Sequence, residues 1–288
     1  MSQSEYKKCS ISVIIPTLNE EANLPNCIEP LLNWAEKIII VDSNSTDNTN
    51  KIAENVGIEV IKFNYTGGWP KKRQYVLENY EFKTEWILLL DADEILTDSV
   101  MREIEKAINN NQYDGFYLWF KMYFLGKFLR FSDPGMRKLS LFRAGLGAFE
   151  MRYKNQDGSM GDMEVHEHVL VKGRVGEIKE PIKHFNYNSL SRFIIKHDQY
   201  SNYESIVHYK GTDQDLESNI FGSFEQRRRY IKKKLIRNIF SPIAYFVYLY
   251  IFRLGFIDGR QGFYYILYQS IYLYFVNSKV YELEKVKY

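Results

Sequence analysis

The sequence predicts an α/β fold with a mostly parallel central sheet, followed by a helical, aromatic-rich C-terminal extension. Short apolar runs alternate with helical segments: the strands are residues 10–15, 37–41, 58–63 and 86–90, and the helices are residues 22–34, 49–56 and 71–79. This alternation favours parallel strands joined by right-handed crossovers. The 23 tyrosines and 19 phenylalanines concentrate toward the C-terminus, which separates the two halves of the chain.

Composition excludes several classes of protein. The 288 residues suffice for one large domain or for a domain with an appendage. The formal net charge is only +2, so we expect no nucleic-acid partner. Cys9 and Cys27 form no disulfide framework and fit a reducing compartment. The N-terminal residues contain no apolar signal-peptide core, and we therefore expect a cytoplasmic location.

Three of the four predicted strands end in polar clusters, at residues 17–21, 42–47 and 91–94. The carboxyl ends of parallel strands meet at one edge of a sheet, which is where ligands bind in open α/β folds. We expect one pocket there, with a base and ribose near the first two clusters and a diphosphate near the third. Neither the dinucleotide fingerprint G-x-G-x-x-G nor the phosphate-binding loop G-x-x-x-x-G-K-[ST] occurs at the strand ends.

The third cluster has the composition of a metal site. Asp91 and Asp93 directly follow a buried apolar strand, and a turn there can direct both side chains toward one ligand. Carboxylate oxygens suit Mg²⁺ or Mn²⁺, ions that commonly also bind substrate phosphates. The alternative is an acidic loop that caps the next helix through Thr97 or Asp98.

Three cations, Lys71, Lys72 and Arg73, open the helix at residues 71–79. Cations at a helix N-terminus oppose the helix dipole, so this placement favours an anionic partner. We expect contact with the pyrophosphate or base of the ligand, with Arg73 as the best single candidate. The alternative is a solvated helix start.

Residues 13–21, 40–49 and 89–94 together resemble the three signature blocks of glycosyltransferase family 2. The family has the GT-A fold, a Rossmann-like nucleotide-binding architecture, and uses sugar nucleotides. The resemblance implies an inverting, metal-dependent transferase that needs Mg²⁺ or Mn²⁺. The nucleotide-sugar site that it implies, completed by the basic helix start, consists of Pro16, Thr17, Asn19, Glu20, Asp42, Ser43, Lys72, Arg73, Asp91 and Ala92.

Individual roles follow from the same resemblance. Asp42 would contact uracil or its equivalent, and Asp91 would hold the ribose or approach the metal. Asp93 would be the main metal ligand. Enzymes with the GT-A fold often add a later histidine, for which His184 is the candidate; His166 and His197 are weaker alternatives, and simple packing of His184 near Phe185 and Tyr187 is the other interpretation.

Residues 163–169 form a second chemical cluster. The run V-H-E-H at residues 165–168, followed by P-I-K-H at residues 181–184, resembles the lipopolysaccharide core β-glucosyltransferase branch. Family members place a base carboxylate here, so the resemblance implies that Glu167 is the catalytic base, with Glu164 and Asp162 in reserve. A salt-bridged strand is the alternative. The pair His166 and His168 lacks a third ligand for a zinc site.

The C-terminal third predicts a helix at residues 188–209, a polar linker at 211–218, a basic helix at 225–237 and an apolar segment at 239–257. A basic helix beside a tyrosine-rich apolar helix suits the surface of an anionic membrane. The apolar segment contains Pro242 and Arg253 and is not a clean membrane-spanning run. Alternatively, these helices pack on the catalytic domain or on another subunit of a homo-oligomer.

We therefore expect a catalytic domain at residues 1–187, with a donor half at 1–112 and an acceptor half at 113–187, and a helical region at 188–288. The expected reaction moves a sugar from a nucleoside-diphosphate sugar, with UDP as the expected nucleotide. The acceptor would be a hydroxyl of a cell-envelope glycan, such as a glycolipid or the lipopolysaccharide core. The protein would lie peripherally on the inner face of the cytoplasmic membrane.

Three other functions remain open at this stage. The acceptor could be a protein or peptide side chain. A nucleotidyltransferase also uses paired aspartates, but it usually carries a glycine-rich loop after its first strand, where this chain has residues 16–20. A non-catalytic sugar-nucleotide-binding protein would keep its function after Asp93→Ala and Glu167→Ala.

Overall fold

The computed structural model describes residues 8–151, 168–185, 189–210, 221, 227, 230, 234–236 and 238–286. The chain forms two compact units. The first consists of residues 1–122, 135–150 and 161–186, and the second of residues 123–134, 151–160 and 187–288. The boundary expected from the sequence, between residues 187 and 188, stays a prediction.

The strands are β1 (Cys9–Thr17), β2 (Ala35–Asp42), β3 (Glu59–Lys62), β4 (Trp86–Leu89), β5 (Glu94–Ile95), β6 (Gly115–Phe124), β7 (Lys127–Phe128), β8 (Met136–Arg143), β9 (Gly147–Phe149), β10 (Val169–Val171) and β11 (Val175–His184). The α-helices are α1 (Leu24–Ile28), α2 (Thr49–Asn55), α3 (Lys72–Asn79), α4 (Asp98–Ile108), α5 (Leu190–Lys210), α6 (Ser241–Val247) and α7 (Gly259–Lys285). Short 3₁₀ helices occupy Glu29–Leu31 and Gly255–Asp258, and a π-helix occupies Tyr248–Phe252.

The central sheet is mixed, with the strand order β3-β2-β1-β4-β8-β6-β11-β5. The first four strands in this order are parallel, as the alternation of strands and helices predicts. β8 then runs antiparallel to both β4 and β6. The predicted α/β class with a C-terminal helical region is confirmed, and the fold is GT-A.

Both faces of the sheet are buried, which explains why its strands are continuous apolar runs. Along β1, Ile11, Val13 and Ile15 enter one core, while Ile14 enters the other. β4 alternates in the same way, with Trp86 and Leu88 in the first core and Ile87 and Leu89 in the second. The strands are thereby fixed in register, and so are the polar residues at their ends.

Two local expectations need correction. The helix expected over residues 22–34 is instead α1 followed by a 3₁₀ turn. Pro25 is accommodated in the first turn of α1, whereas Pro30 lacks the N–H that a continuing helix needs. The ten-residue strand β11, which ends at His184, was not anticipated. The second chemical cluster, predicted at residues 163–169, lies outside the described residues up to Glu167, as does most of the expected basic helix.

In the second unit, α5 packs along α7, with Phe193 against Tyr268. Asp258, just before α7, is buried and accepts hydrogen bonds from the backbone N–H groups of Arg130, Phe131 and Ser132 at 2.8–3.1 Å. Across the part of the chain that the structure describes, we find no helix with the length and apolarity that crossing a membrane requires.

Candidate active site

The loops after β1 and β2 are interlocked by hydrogen bonds. The register of these parallel strands pairs Thr17 with Asp42, so both loops leave the sheet side by side. Asn19 adopts a left-handed backbone conformation with φ of 56°, and its N–H donates to Ser45 Oγ at 2.8 Å. Its side-chain oxygen accepts the N–H of Thr46 at 2.8 Å, and the N–H of Glu20 donates to Thr49 Oγ1 at 2.8 Å. The first two predicted clusters thus form one rigid surface.

Asp42 is the centre of this surface. Its side chain is completely buried and accepts hydrogen bonds from Thr17 Oγ1 at 2.9 Å, from Ser45 N at 2.8 Å and Ser45 Oγ at 2.5 Å, and from Asn50 Nδ2 at 3.1 Å. Burial alone would raise the pKa of Asp42, but these hydrogen bonds lower it below its ordinary value. The carboxylate therefore stays ionised and holds the loop after β2 in place.

The basic start of α3 faces the same strand ends. Lys72 is buried, and its Nζ donates to the Thr17 carbonyl oxygen at 2.8 Å. Arg73 forms an ion pair with Asp91. The structure thus brings the predicted residues Thr17, Lys72, Arg73 and Asp91 together, through contacts within the protein.

Three carboxylates, a lysine and a histidine meet near the end of β4. Lys138 Nζ lies 3.0 Å from Asp91 Oδ2 and 2.8 Å from Glu94 Oε1. The N–H of Asp91 donates to Glu94 Oε2 at 2.8 Å, which closes the turn between the two carboxylates. Asp93 points instead to His184, with 3.4 Å between Asp93 Oδ1 and His184 Nε2.

The pKa values at this turn follow from burial and from the ion pairs. Burial opposes ionisation of Asp91, yet Arg73 and Lys138 hold its pKa well below its ordinary value. Burial and the neighbouring Asp91 raise the pKa of Glu94 despite Lys138. Burial would lower the pKa of His184, but the Asp93 carboxylate raises it. Asp91 is thus the carboxylate that the cations stabilise most strongly.

Asp93 and His184 can contribute to a divalent-cation site. His184 is buried, and its Nδ1 has no hydrogen-bond partner among the described residues. No cluster of three or more His, Cys, Asp or Glu side chains within the described ranges is arranged to hold a metal. The pair could therefore supply two ligands, an oxygen and a nitrogen, and a bound ion would need further oxygens from a substrate or water. This donor set fits Mn²⁺ better than Mg²⁺, which prefers oxygen ligands alone.

Glu167 and its reserves Glu164 and Asp162 lie outside the described residues, as does His166. The neighbouring residue His168 is described, and its carbonyl oxygen accepts the N–H of Glu150 at 2.9 Å. Phe149 in turn donates its N–H to Gln74 of α3 at 2.8 Å. Residue 168 is therefore anchored beside the helix that carries Arg73. The weaker alternative His197 packs among aromatic rings of the second unit, including Phe193 and Tyr272.

The sequence-family comparison decides the classification of this site. Residues 12–170 match the model of the family described as Glycosyl transferase family 2. The chain belongs to glycosyltransferase family 2. As a member of this family it is a transferase, and the predicted enzyme class is confirmed.

Relatives of this family-2 chain agree with that assignment. It is 30% identical over 290 residues to the lipopolysaccharide core biosynthesis glycosyltransferase LpsC of Rhizobium meliloti, covering 97% of this chain and 95% of that protein. The predicted similarity to the lipopolysaccharide core branch is confirmed by this match. An uncharacterised glycosyltransferase of Rickettsia felis is 27% identical over 199 residues, which cover 66% of this chain and 67% of that protein.

Among solved structures, S. aureus TarS residues 1–349 in complex with UDP-GlcNAc matches with a TM-score of 0.43 and 14% identity. The match covers 96% of this chain and 92% of that one. Because this score is low, the fold assignment rests on the strand order and on the family.

Two further residues lie at the turn after β4 that the sequence analysis does not single out, Lys138 and Glu94. Glu94 belongs to the acidic run after β4. Lys138 lies 47 residues from Asp91 in the sequence and reaches it through the antiparallel pairing of β8 with β4. β8 also contains Arg137 and Arg143, so the local sequence does not distinguish Lys138.

Proposed function

We propose that this family-2 enzyme transfers a sugar from a nucleoside-diphosphate sugar, with UDP as the nucleotide, to a hydroxyl of a lipopolysaccharide core or related cell-envelope glycan. The similarity to LpsC along nearly the whole chain supports the acceptor class. The observation that carries the proposal is the junction of the β1, β2 and β4 ends. There, interlocked loops lie beside a turn whose Asp93 faces His184 at the end of β11.

The interlocked loops would form the nucleotide side of this site. Asp42 has no exposed surface and already accepts four hydrogen bonds, so we propose that it acts by shaping the loop that begins at Ser43. Pro16, Asn19 and Glu20 would contribute the opposite wall. Such a surface needs no rearrangement to accept a planar base, which limits the entropic cost of binding.

The turn after β4 would hold the diphosphate. We propose that Asp93 and His184 bind Mn²⁺ or Mg²⁺ and that Asp91 and Ala92 lie against the ribose and the metal. A bound divalent ion would offset the charge of the departing diphosphate. Arg73, held by Asp91 at the start of α3, would place a second positive charge near the same leaving group.

The chemical step would use Glu167 as a general base. Its carboxylate would take the proton of the acceptor hydroxyl as the acceptor oxygen bonds to the anomeric carbon, from the face opposite the diphosphate. The bond between that carbon and the diphosphate oxygen would break, and the nucleoside diphosphate would leave with the electron pair.

A screen of nucleoside-diphosphate sugars for Mn²⁺-dependent release of nucleoside diphosphate tests this proposal. We expect one donor to be hydrolysed by the full-length protein, and Asp93→Ala to reduce the rate by about a hundredfold or more. The substitution Arg137→Met, which removes a cation that pairs with Glu177 away from this turn, should leave the rate unchanged. Release from no donor, or full activity of Asp93→Ala, would contradict the proposal.

We also propose that the protein lies peripherally on the inner face of an anionic membrane, through an apolar face of the second unit. This face consists of exposed side chains on α6 and the segment that follows it: Phe240, Ile243, Val247, Ile251, Phe252, Phe256 and Ile257. From residue 238 to residue 281 the charged residues are the cations Arg253, Arg260 and Lys279 and the buried Asp258. An apolar face flanked by cations and free of exposed carboxylates matches an anionic bilayer surface.

A further inference from the structure

Lys138 lies within the carboxylates at the end of β4. The antiparallel register pairs Leu88 with Leu141 and thereby places the N-terminal half of β8 beside the turn that follows β4. The Lys138 ammonium contacts Asp91 Oδ2 at 3.0 Å and Glu94 Oε1 at 2.8 Å. It also lies 4.6 Å from the centre of the Phe120 ring. These contacts hold the ammonium between two carboxylates, at the turn that also carries Asp93, the proposed metal ligand.

The remaining contacts of the two carboxylates reinforce this arrangement. Asp91 also pairs with Arg73, and the second oxygen of Glu94 accepts the N–H of Asp91. A divalent ion that used either carboxylate would have to displace a cation or lie within a few ångströms of one. Coulomb repulsion between like charges at such distances opposes this strongly in a buried site.

Asp93 differs from its two neighbours. Its Oδ1 faces His184, whose Nδ1 lacks a hydrogen-bond partner among the described residues. Asp91 and Glu94 thus lie against Lys138 and Arg73, whereas Asp93 lies against His184, which is the metal side of the proposed function. A lysine that pairs with Asp91 and Glu94 reduces the number of carboxylates that a metal ion can use in the absence of the sugar nucleotide.

We propose that Lys138 is a built-in counter-ion for Asp91 and Glu94, and that it keeps the affinity of the free protein for divalent cations low. This inference rests on the proposed function for the identity of the metal side. Lys138 is a positioning residue, since it acts through Asp91 and Glu94. We therefore expect the metal ion to bind mainly together with the sugar nucleotide, whose oxygens supply the remaining ligands.

The test measures binding of Mn²⁺ to the full-length protein without nucleotide, from the electron paramagnetic resonance signal of free Mn²⁺. Lys138→Met should bind Mn²⁺ about tenfold more tightly than the wild type, because Glu94 loses its cationic partner and Asp91 keeps only Arg73. Lys138→Arg keeps the charge and should stay within about twofold of the wild type. The matched control is Arg137→Met, which removes the adjacent cation of β8 and should not change the affinity.

A second variant keeps the inference testable if Lys138→Met does not fold. In the otherwise wild-type chain, Glu94→Gln should change Mn²⁺ affinity by less than about threefold. The reason is that the Glu94 carboxylate is already paired with Lys138 and does not bind the ion. Where Lys138→Met does fold, the same substitution in that background should weaken Mn²⁺ binding by about tenfold, as expected for a newly available ligand. Circular dichroism establishes which variants are folded.

Three results would overturn the inference. The first is an unchanged Mn²⁺ affinity of folded Lys138→Met, and the second is a loss of about tenfold in Mn²⁺ affinity of Glu94→Gln alone. The third is a fall of about tenfold in the UDP affinity of Lys138→Met, measured with a chelator, while its Mn²⁺ affinity is unchanged; this would show that Lys138 binds the phosphate. If Mn²⁺ binding changes as expected but no donor is hydrolysed, the counter-ion role stands and the proposed function fails.

Discussion

At the scale of single residues, buried carboxylates organise both units. Asp42 fixes the loop after β2, and Asp258 fixes residues 130–132. The sequence indicated Asp42 because it ends an apolar strand and lies in the second signature block, residues 40–49. It could not indicate Asp258, whose partners lie 126–128 residues away. Pairing over such distances depends on packing that no local pattern encodes.

The substitution Asp42→Ala should destabilise the protein by about 2–4 kcal/mol, because it leaves several buried donors without an acceptor. Urea unfolding of the full-length chain measures this loss. Lys51→Ala, at an exposed position of α2, should stay within about 0.5 kcal/mol of the wild type. Equal stability of the Asp42 variant and the control would show that the loop is held by other contacts.

Asp258 should make stability depend on acid pH. Burial would raise its pKa, but the hydrogen bonds from Ser132, Phe131 and Arg130 lower it below its ordinary value. The unfolded chain therefore binds this proton first, and the stabilisation is present above about pH 4 and is lost as the pH falls through the folded-state pKa.

Asp258→Asn tests this dependence by thermal unfolding between about pH 3 and pH 6. The variant should be less stable than the wild type near pH 6, and the difference should shrink toward pH 3. If the difference in stability between the two proteins stays constant with pH, the backbone N–H groups do not stabilise the ionised form of Asp258.

At the scale of elements, strand ends decide where the site forms. The strands β1, β2 and β4 could be predicted because they are short, apolar and followed by polar clusters. Strand β11 could not, because Glu177, Lys179 and Glu180 interrupt its apolar pattern and it pairs at the far side of the sheet. That strand nevertheless ends at His184, opposite Glu94 in β5, and so brings the predicted histidine to Asp93.

The start of α7 depends on a close backbone approach. A Cβ at Gly262 would lie 2.6 Å from the Gly255 carbonyl oxygen and 2.7 Å from Asp258 Cβ. Gly262→Ala should therefore destabilise the protein by about 1–3 kcal/mol, although alanine favours a helix. Chemical denaturation measures the effect. The neighbouring Gln261→Ala should be neutral or slightly stabilising, and an equal response of both variants would contradict the packing argument.

At the scale of the whole molecule, the apolar face of the second unit should determine membrane binding. The double substitution Ile243→Glu and Phe252→Glu should reduce co-sedimentation with phosphatidylglycerol-containing vesicles by about tenfold, because it places carboxylates on a face that has none exposed. Wild-type protein should bind neutral phosphatidylcholine vesicles much more weakly.

The matched control is Leu170→Glu, at an exposed aliphatic position of the first unit. It should bind anionic vesicles as the wild type does. If neither vesicle type binds the wild type, and sedimentation shows a dimer that the double substitution dissociates, the face serves a homo-oligomer instead of a membrane.

The central claim is that the ends of β1, β2 and β4 bind a nucleoside diphosphate together with a divalent ion. Calorimetric titration of UDP into the full-length protein, with and without Mn²⁺, tests it most directly. Mn²⁺ should tighten UDP binding by about tenfold or more in the wild type and in Arg137→Met, and by less than about twofold in Asp93→Asn. A wild type that binds UDP equally well without Mn²⁺, or an Asp93→Asn variant that keeps the full effect of Mn²⁺, would contradict the claim.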